Sequence, residues 1–91
     1  MLFMIIERFP DPVAVYARFR EKGRQAPAGV NFVDSWVDLS GTRCFQLMRC
    51  NEASLFLEWV AAWQDLASFE VIPVATSKEA AAVFNREDVK R

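Results

Sequence analysis

The sequence predicts an α+β fold, a single domain in which helices cover one face of a four-stranded antiparallel sheet. Three observations predict it. A chain of 91 residues forms one hydrophobic core and not two. Four short segments have strand-like apolar patterns, and the longer segments between and after them repeat at helical spacing. The order β-α-β-β-α-β plus a final short helix then favours this sheet, because consecutive elements join by short connections.

The first strand and helix are predicted from residues 2–23. An apolar run at residues 2–9 predicts the strand. Asp11 is expected to cap the helix, and Pro12 to take its first position, where a proline loses nothing by lacking an N–H. The residues at helical spacing are expected to face the core: Val15, Tyr16, Phe19 and Gly23.

The middle of the chain predicts a β-hairpin. From Val30 onward the apolar residues repeat at a period of two, as in a strand. Ser40 and Gly41 lie between two runs of this kind and are the expected two-residue turn. That turn sets the expected cross-strand pairs: Asp38 with Arg43, Val37 with Cys44, Trp36 with Phe45, Ser35 with Gln46, and Val33 with Met48. A β-bulge would shift these pairs by one residue.

The second half of the chain predicts a helix, a strand and a short helix. Asn51 is the expected cap of a largely buried helix over residues 52–66. Pro73 places the fourth strand at an edge, because proline lacks the N–H that a central strand needs. "TSKE" at 76–79 is a capping box. The order is ferredoxin-like, with one domain expected over residues 1–85 and a polar tail over 86–91.

The apolar content predicts a homodimer. Hydrophobic residues make up 53% of the chain, and the first strand is apolar on both faces. With helices on one side, the second face would lie in water, which monomers seldom tolerate. The final helix is an alternative cover, but it is too short to cover the whole face. We expect the open sheet faces to pack together through Trp36, Phe45 and Arg43.

Composition argues against several function classes. Eleven basic and twelve acidic residues give a net charge of −1 without long runs of either sign, so neither nucleic acid nor a membrane is an expected partner. "MLFMII" is too short for a leader or a membrane span, which predicts a cytoplasmic protein. With no histidine and two cysteines about 20 Å apart on one strand, we expect no disulfide, metal or cofactor.

The candidate ligand site centres on Gln46. It lies opposite Ser35 among apolar residues, and one serine cannot satisfy its amide. Gln46 must therefore bond a helix side chain such as Tyr16, a water or a ligand; an internal bond alone is the alternative. Trp59 and Trp63, one helical turn apart, either wall an aromatic pocket or belong to the core.

A second cluster joins Asp38 and Arg43 across the hairpin, with Glu7 as a third member if odd positions of the first strand share that face. Its functional interpretation is an anion site on Arg43. Its structural interpretation is a charge cluster that fixes the hairpin register or borders the dimer contact, where exposed pairs contribute only about 0–1 kcal/mol. Cys44 has no activating neighbour in the sequence and is interpreted as packing.

Five segments resemble small bacterial proteins grouped as domain of unknown function 3303, over about residues 1–82: "VYARFREKGR", "NFVDSWVD", "TRCFQLM", "EWVAAWQDL" and "FEVIPVATSKEAA". The resemblance implies the dimeric α+β barrel group, in which two ferredoxin-like subunits pack sheet on sheet and a ligand pocket lies between each sheet and its helices. That group includes cofactor-free monooxygenases, lactone isomerases and proteins without known activity. The catalytic histidines of several such enzymes have no counterpart here.

The sequence is compatible with three functions. The first is a homodimeric protein of uncharacterised activity that binds a small apolar or aromatic molecule against Tyr16, Gln46 and Trp59. The second is a cofactor-independent monooxygenase or isomerase that uses the same cavity. The third is a structural interaction domain with a filled core. An open cavity between sheet and helices distinguishes the first two from the third.

Overall fold

The computed structural model describes residues 1–86 of the chain. Its elements in order are β1 (Leu2–Arg8), α1 (Pro12–Lys22), β2 (Val30–Val37), β3 (Arg43–Cys50), α2 (Leu55–Trp63), β4 (Ser68–Val74) and α3 (Ser77–Phe84). The predicted α+β fold is confirmed at this level, with four antiparallel strands in the order β2-β3-β1-β4 and three helices. Residues 87–91 of the predicted tail lie outside the described residues.

The two faces of the sheet are set by alternation along β1. Phe3, Ile5 and Glu7 are buried against the helices. Leu2, Met4 and Ile6 are half-buried on the opposite, open face. Pairing extends the open face across the sheet, with Met4 between Leu47 on β3 and Ile72 on β4. The expected two-sided apolar strand is thus present at the centre of the sheet.

The hairpin has the predicted pairs near its turn, including Ser35 with Gln46 and Trp36 with Phe45. The expected two-residue turn was wrong. The N–H of Gly41 donates to the carbonyl of Asp38 over 2.9 Å, and the N–H of Asp38 donates to the carbonyl of Arg43 over 3.0 Å, so residues 39–42 form a four-residue loop. Gly41 has φ +76°, which favours glycine at this position.

A β-bulge shifts the strand pairing at the end of the hairpin that lies far from the turn. The β2–β3 register shifts between Phe32 and Asp34, so Phe32 lies opposite Met48 and the predicted pairing of Val33 with Met48 was wrong. A bulge places two residues of one strand opposite one of its partner, and it is favoured at sheet edges. The shift turns Phe32 toward the helix side of the sheet, where Arg24 stacks over its ring.

Helix α1 begins as predicted, because Asp11 Oδ1 accepts a hydrogen bond from the N–H of Ala14 over 3.2 Å. Its predicted core face was only partly right. Val15 is buried, but Tyr16 and Phe19 are 47% and 41% exposed. Both line a cavity that separates α1 from the sheet. Their exposure is the consequence of that space, since a helix packed directly on the sheet would bury them.

Helix α2 begins later than predicted, at Leu55, and Asn51 is not its cap. The side chain of Asn51 instead accepts a hydrogen bond from the N-terminal amine over 3.2 Å, which ties the start of β1 to the end of β3. The helix still supplies much of the core. The buried apolar residues are Phe3, Ile5, Phe9, Val15, Val30, Met48, Cys50, Phe56, Trp59 and Trp63.

The C-terminal part of the described chain agrees with the predictions. β4 is an edge strand that contains Pro73. Thr76 Oγ1 accepts from the N–H of Glu79 and the Glu79 carboxylate accepts from the N–H of Thr76, each over 3.1 Å, which completes the capping box. Helix α3 contains no buried residue, so it contributes little cover to the open face. Within residues 1–86, no helix has the length and apolar character to span a membrane.

Candidate functional site

A cavity of about 240 Å³ lies between the helices and the helix-facing side of the sheet. Aromatic and aliphatic side chains form most of its wall. The structure brings all five predicted ligand-site residues together around it: Tyr16, Ser35, Gln46, Trp59 and Trp63. Two further polar side chains, Glu7 and Arg24, also line it and were not predicted as part of this site.

A chain of three polar side chains crosses the floor of the cavity. Gln46 Nε2 donates a hydrogen bond to Glu7 Oε1, and Gln46 Oε1 accepts one from Arg24 Nε over 2.8 Å. Gln46 is buried, as its strand position predicted. Its amide bonds neither Ser35 nor Tyr16, although Ser35 does lie opposite it. Gln46 thus links the acidic Glu7 to the basic Arg24 within an otherwise largely apolar cavity wall.

Glu7 is a buried acid, with only 8% of its surface exposed. Burial raises its pKa from 4.5 to about 7, against the smaller lowering effects of the Gln46 hydrogen bond and the Arg24 charge. Within residues 1–86, the only hydrogen bond of its carboxyl group is the one that Oε1 accepts from Gln46. Because its pKa is about 7, this carboxyl in the cavity wall both accepts and releases protons near neutral pH.

Glu7 was expected to join Asp38 and Arg43 if the odd positions of the first strand shared their face, and those positions lie on the other face. Glu7 pairs with Cys44 on the helix side, whereas Arg8 pairs with Arg43 on the open face. The alternation of Phe3, Ile5 and Glu7 carried the necessary signal, because these three residues must share one face. An acid in an apolar alternating set is the sequence feature that would have identified this site.

Arg24, which was not predicted as a site residue, is held by both tryptophans. The indole N–H groups of Trp59 and Trp63 each donate to the Arg24 carbonyl over 2.9 Å. The spacing of one helical turn therefore serves two purposes, since both rings belong to the core and both fix the loop after α1. No pattern in that loop marks Arg24, because its role depends on contacts with α2 and β3, which lie far away in sequence.

Two further residues considered from the sequence, Cys44 and Arg43, lie on opposite faces of the sheet. Burial and the nearby Glu7 raise the pKa of the Cys44 thiol to about 11, so it is protonated at neutral pH, as its interpretation as packing requires. Arg43 lies on the open face with Trp36 and Phe45 and does not reach the cavity. It pairs with Asp38 over 3.1 Å and stacks over Phe45 at 5.1 Å.

The described part of the chain contains no group of three or more His, Cys, Asp or Glu residues arranged to hold a metal ion. Comparisons with curated proteins and with solved structures give no match. A family model described as Domain of unknown function (DUF3303) matches residues 1–88, nearly the full chain. The sequence segments that resembled this family span the strands and helices around the cavity, and the chain belongs to the DUF3303 family.

Proposed function

We propose that this protein binds a small, largely apolar molecule in the cavity between sheet and helices. The observation that carries the proposal is the Glu7–Gln46–Arg24 chain, which places oriented polar groups in an apolar wall. Ligand sites typically combine an apolar lining with a few such groups. Since an apolar cavity of about 150 Å³ accepts benzene, the volume here suits a substituted monocyclic compound.

We also propose that the working unit is a homodimer of the dimeric α+β barrel type. The strand order β2-β3-β1-β4, with the helix-covered face on one side only, supports a ferredoxin-like subunit. The open face carries half-buried Met4, Ile6 and Leu47, and Trp36 is 49% exposed. A second copy that packs its own open face here would remove this surface from water.

The binding proposal is tested by native mass spectrometry of freshly purified protein, followed by thermal unfolding with and without phenol. We expect either a retained small molecule or a rise in melting temperature with phenol, because a ligand that binds only the folded state stabilises it. Ser35→Phe places a ring in the cavity and should abolish the effect. Ser54→Phe, at an exposed position before α2, is the matched control. Equal effects of phenol on both variants would contradict the proposal.

A second candidate function, an isomerase, is favoured by Glu7. As a carboxylate it would remove a proton from the carbon beside a carbonyl group, and the C–H electron pair would form the double bond of an enolate. Return of the proton to a different carbon completes an isomerisation without oxidant or cofactor. Turnover of a cyclic unsaturated ketone that is lost in Glu7→Gln, with binding retained, would support an enzyme. Binding without turnover would support the first function.

A further inference from the structure

We infer that Arg24 is the receptor for an anionic group, and that the ligand is a small carboxylic acid with an aromatic or unsaturated ring. This inference rests on the proposed function, because it assigns the chemical class of the molecule in the same cavity. Arg24 would bind the carboxylate, and the apolar wall formed by residues such as Phe9 and Val15 would receive the ring.

Among the residues that the structure describes, no acidic side chain is in direct contact with the charge of Arg24. Its Nε donates to Gln46 over 2.8 Å, but within residues 1–86 its two terminal nitrogens make no hydrogen bond and no ion pair. Arg18, by contrast, is paired, since it binds Asp65 through two hydrogen bonds. Two parallel N–H groups on a guanidinium match the two oxygens of a carboxylate.

The guanidinium is held in place before any ligand arrives. Its central carbon lies 3.8 Å from the ring centre of Phe32 and 5.2 Å from that of Phe19. Such stacking leaves the edge of the guanidinium available for hydrogen bonds. The carbonyl of the same residue accepts from both Trp59 and Trp63. Fixing both ends of Arg24 reduces the entropy that binding an anion would cost.

The loop around Arg24 is also held in an unfavourable backbone conformation. Gln25 has φ 59°, a left-handed value that costs a residue with a side chain about 1–2 kcal/mol. Its side-chain Nε2 is buried and has no hydrogen-bond partner within the described part of the chain. Strain of this kind persists where the surrounding structure imposes it, and it is concentrated at functional sites. Here it accompanies the turn that directs the Arg24 side chain to the cavity.

Glu7 would make the affinity depend on pH. The titratable and charged groups that interact with it are Arg24 from the loop after α1, Tyr16 on α1 and Cys44 on β3. Of these, only Arg24 is charged at neutral pH. An ionised Glu7 repels a carboxylate ligand and offsets the Arg24 charge, whereas a neutral Glu7 does neither. Binding of an acid should therefore weaken as the pH rises through about 7, the pKa of Glu7.

The test compares benzoate with benzamide, a neutral molecule of nearly the same shape, by isothermal titration calorimetry. We expect benzoate to bind at least about tenfold more tightly, since charge-assisted bonds to arginine are the stronger kind. Arg24→Gln should remove this preference and Arg24→Lys should keep part of it. Arg20→Gln, at an exposed position near the end of α1, is the matched control and should bind as the unaltered protein does.

The outcomes distinguish failure of carboxylate recognition by Arg24 from failure of small-molecule binding in the cavity. Benzamide binding as tightly as benzoate, or a benzoate affinity unchanged in Arg24→Gln, would overturn the inference and leave the small-molecule cavity intact. Binding of neither compound, together with no effect of phenol, would overturn both. The fold of Arg24→Gln is checked through the indole N–H signals of Trp59 and Trp63, because their acceptor is a main-chain carbonyl that the substitution retains.

Discussion

Glu7 shows how one residue position links the fold to the chemistry of the cavity. The alternation of β1 sends it to the helix side, where burial and not a neighbouring acid raises its pKa. Gln46 and Arg24 then reach it from β3 and from the loop after α1. The places of Gln46 and Glu7 on the buried face were predictable from alternation along their strands, but the Arg24 partner was not, because the loop after α1 carries no register signal.

Glu7 should give the stability of the protein a distinctive pH dependence. Its folded-state pKa of about 7 lies above the ordinary value of 4.5, so the folded protein binds more protons between these values. The free energy of unfolding should therefore fall as the pH rises from about 5 to about 7, by up to roughly 3 kcal/mol. The chain contains no histidine that would titrate in this range.

Urea unfolding across that pH range checks this expectation. Glu7→Gln should flatten the profile, because a neutral amide replaces the titrating carboxyl. Glu58→Gln, at an exposed position on α2, should leave the profile unchanged. A slope that survives in Glu7→Gln would show that another group is responsible.

At the scale of elements, local signals predicted more than long-range ones. The confirmed predictions depend on backbone groups at or near the residue itself. They are the helix cap at Asp11, the edge strand that contains Pro73 and the capping box at Thr76. The bulge beside Phe32 and the bond from the N-terminus to Asn51 depend on neighbouring strands, which the local pattern does not contain. The exposure of Tyr16 likewise depends on a space between layers that periodicity cannot reveal.

Helix α3 provides a test of local stability. Thr76→Ala removes the side-chain acceptor for the N–H of Glu79, which typically costs about 1 kcal/mol of helix stability. Because α3 contains no buried residue, the loss should remain local. Hydrogen exchange should speed up within Ser77–Phe84, while the global free energy of unfolding changes by less than about 0.5 kcal/mol. A global loss near 1 kcal/mol would mean that α3 supports the core.

At the scale of the whole molecule, the open sheet face leaves apolar side chains in contact with water. The proposed dimer predicts a solution mass of 2 × 10.4 = 20.8 kDa by light scattering. Phe45→Asp should shift the mass toward one chain, because Phe45 lies with Trp36 on the face opposite Gln46. The exposed Leu57→Asp on α2 is the control and should retain the dimer. A single-chain mass for the unaltered protein would contradict the proposal.

The three tryptophans allow the most direct test of the central claim, that a small molecule occupies the cavity. Trp59 and Trp63 line it, whereas Trp36 lies on the opposite face of the sheet. The measurement is the set of three indole N–H signals in a ¹H–¹⁵N correlation spectrum during titration with phenol and with benzoate. We expect the Trp59 and Trp63 signals to shift and saturate while the Trp36 signal stays in place. Three unmoved signals with both compounds, or movement of Trp36 alone, would contradict it.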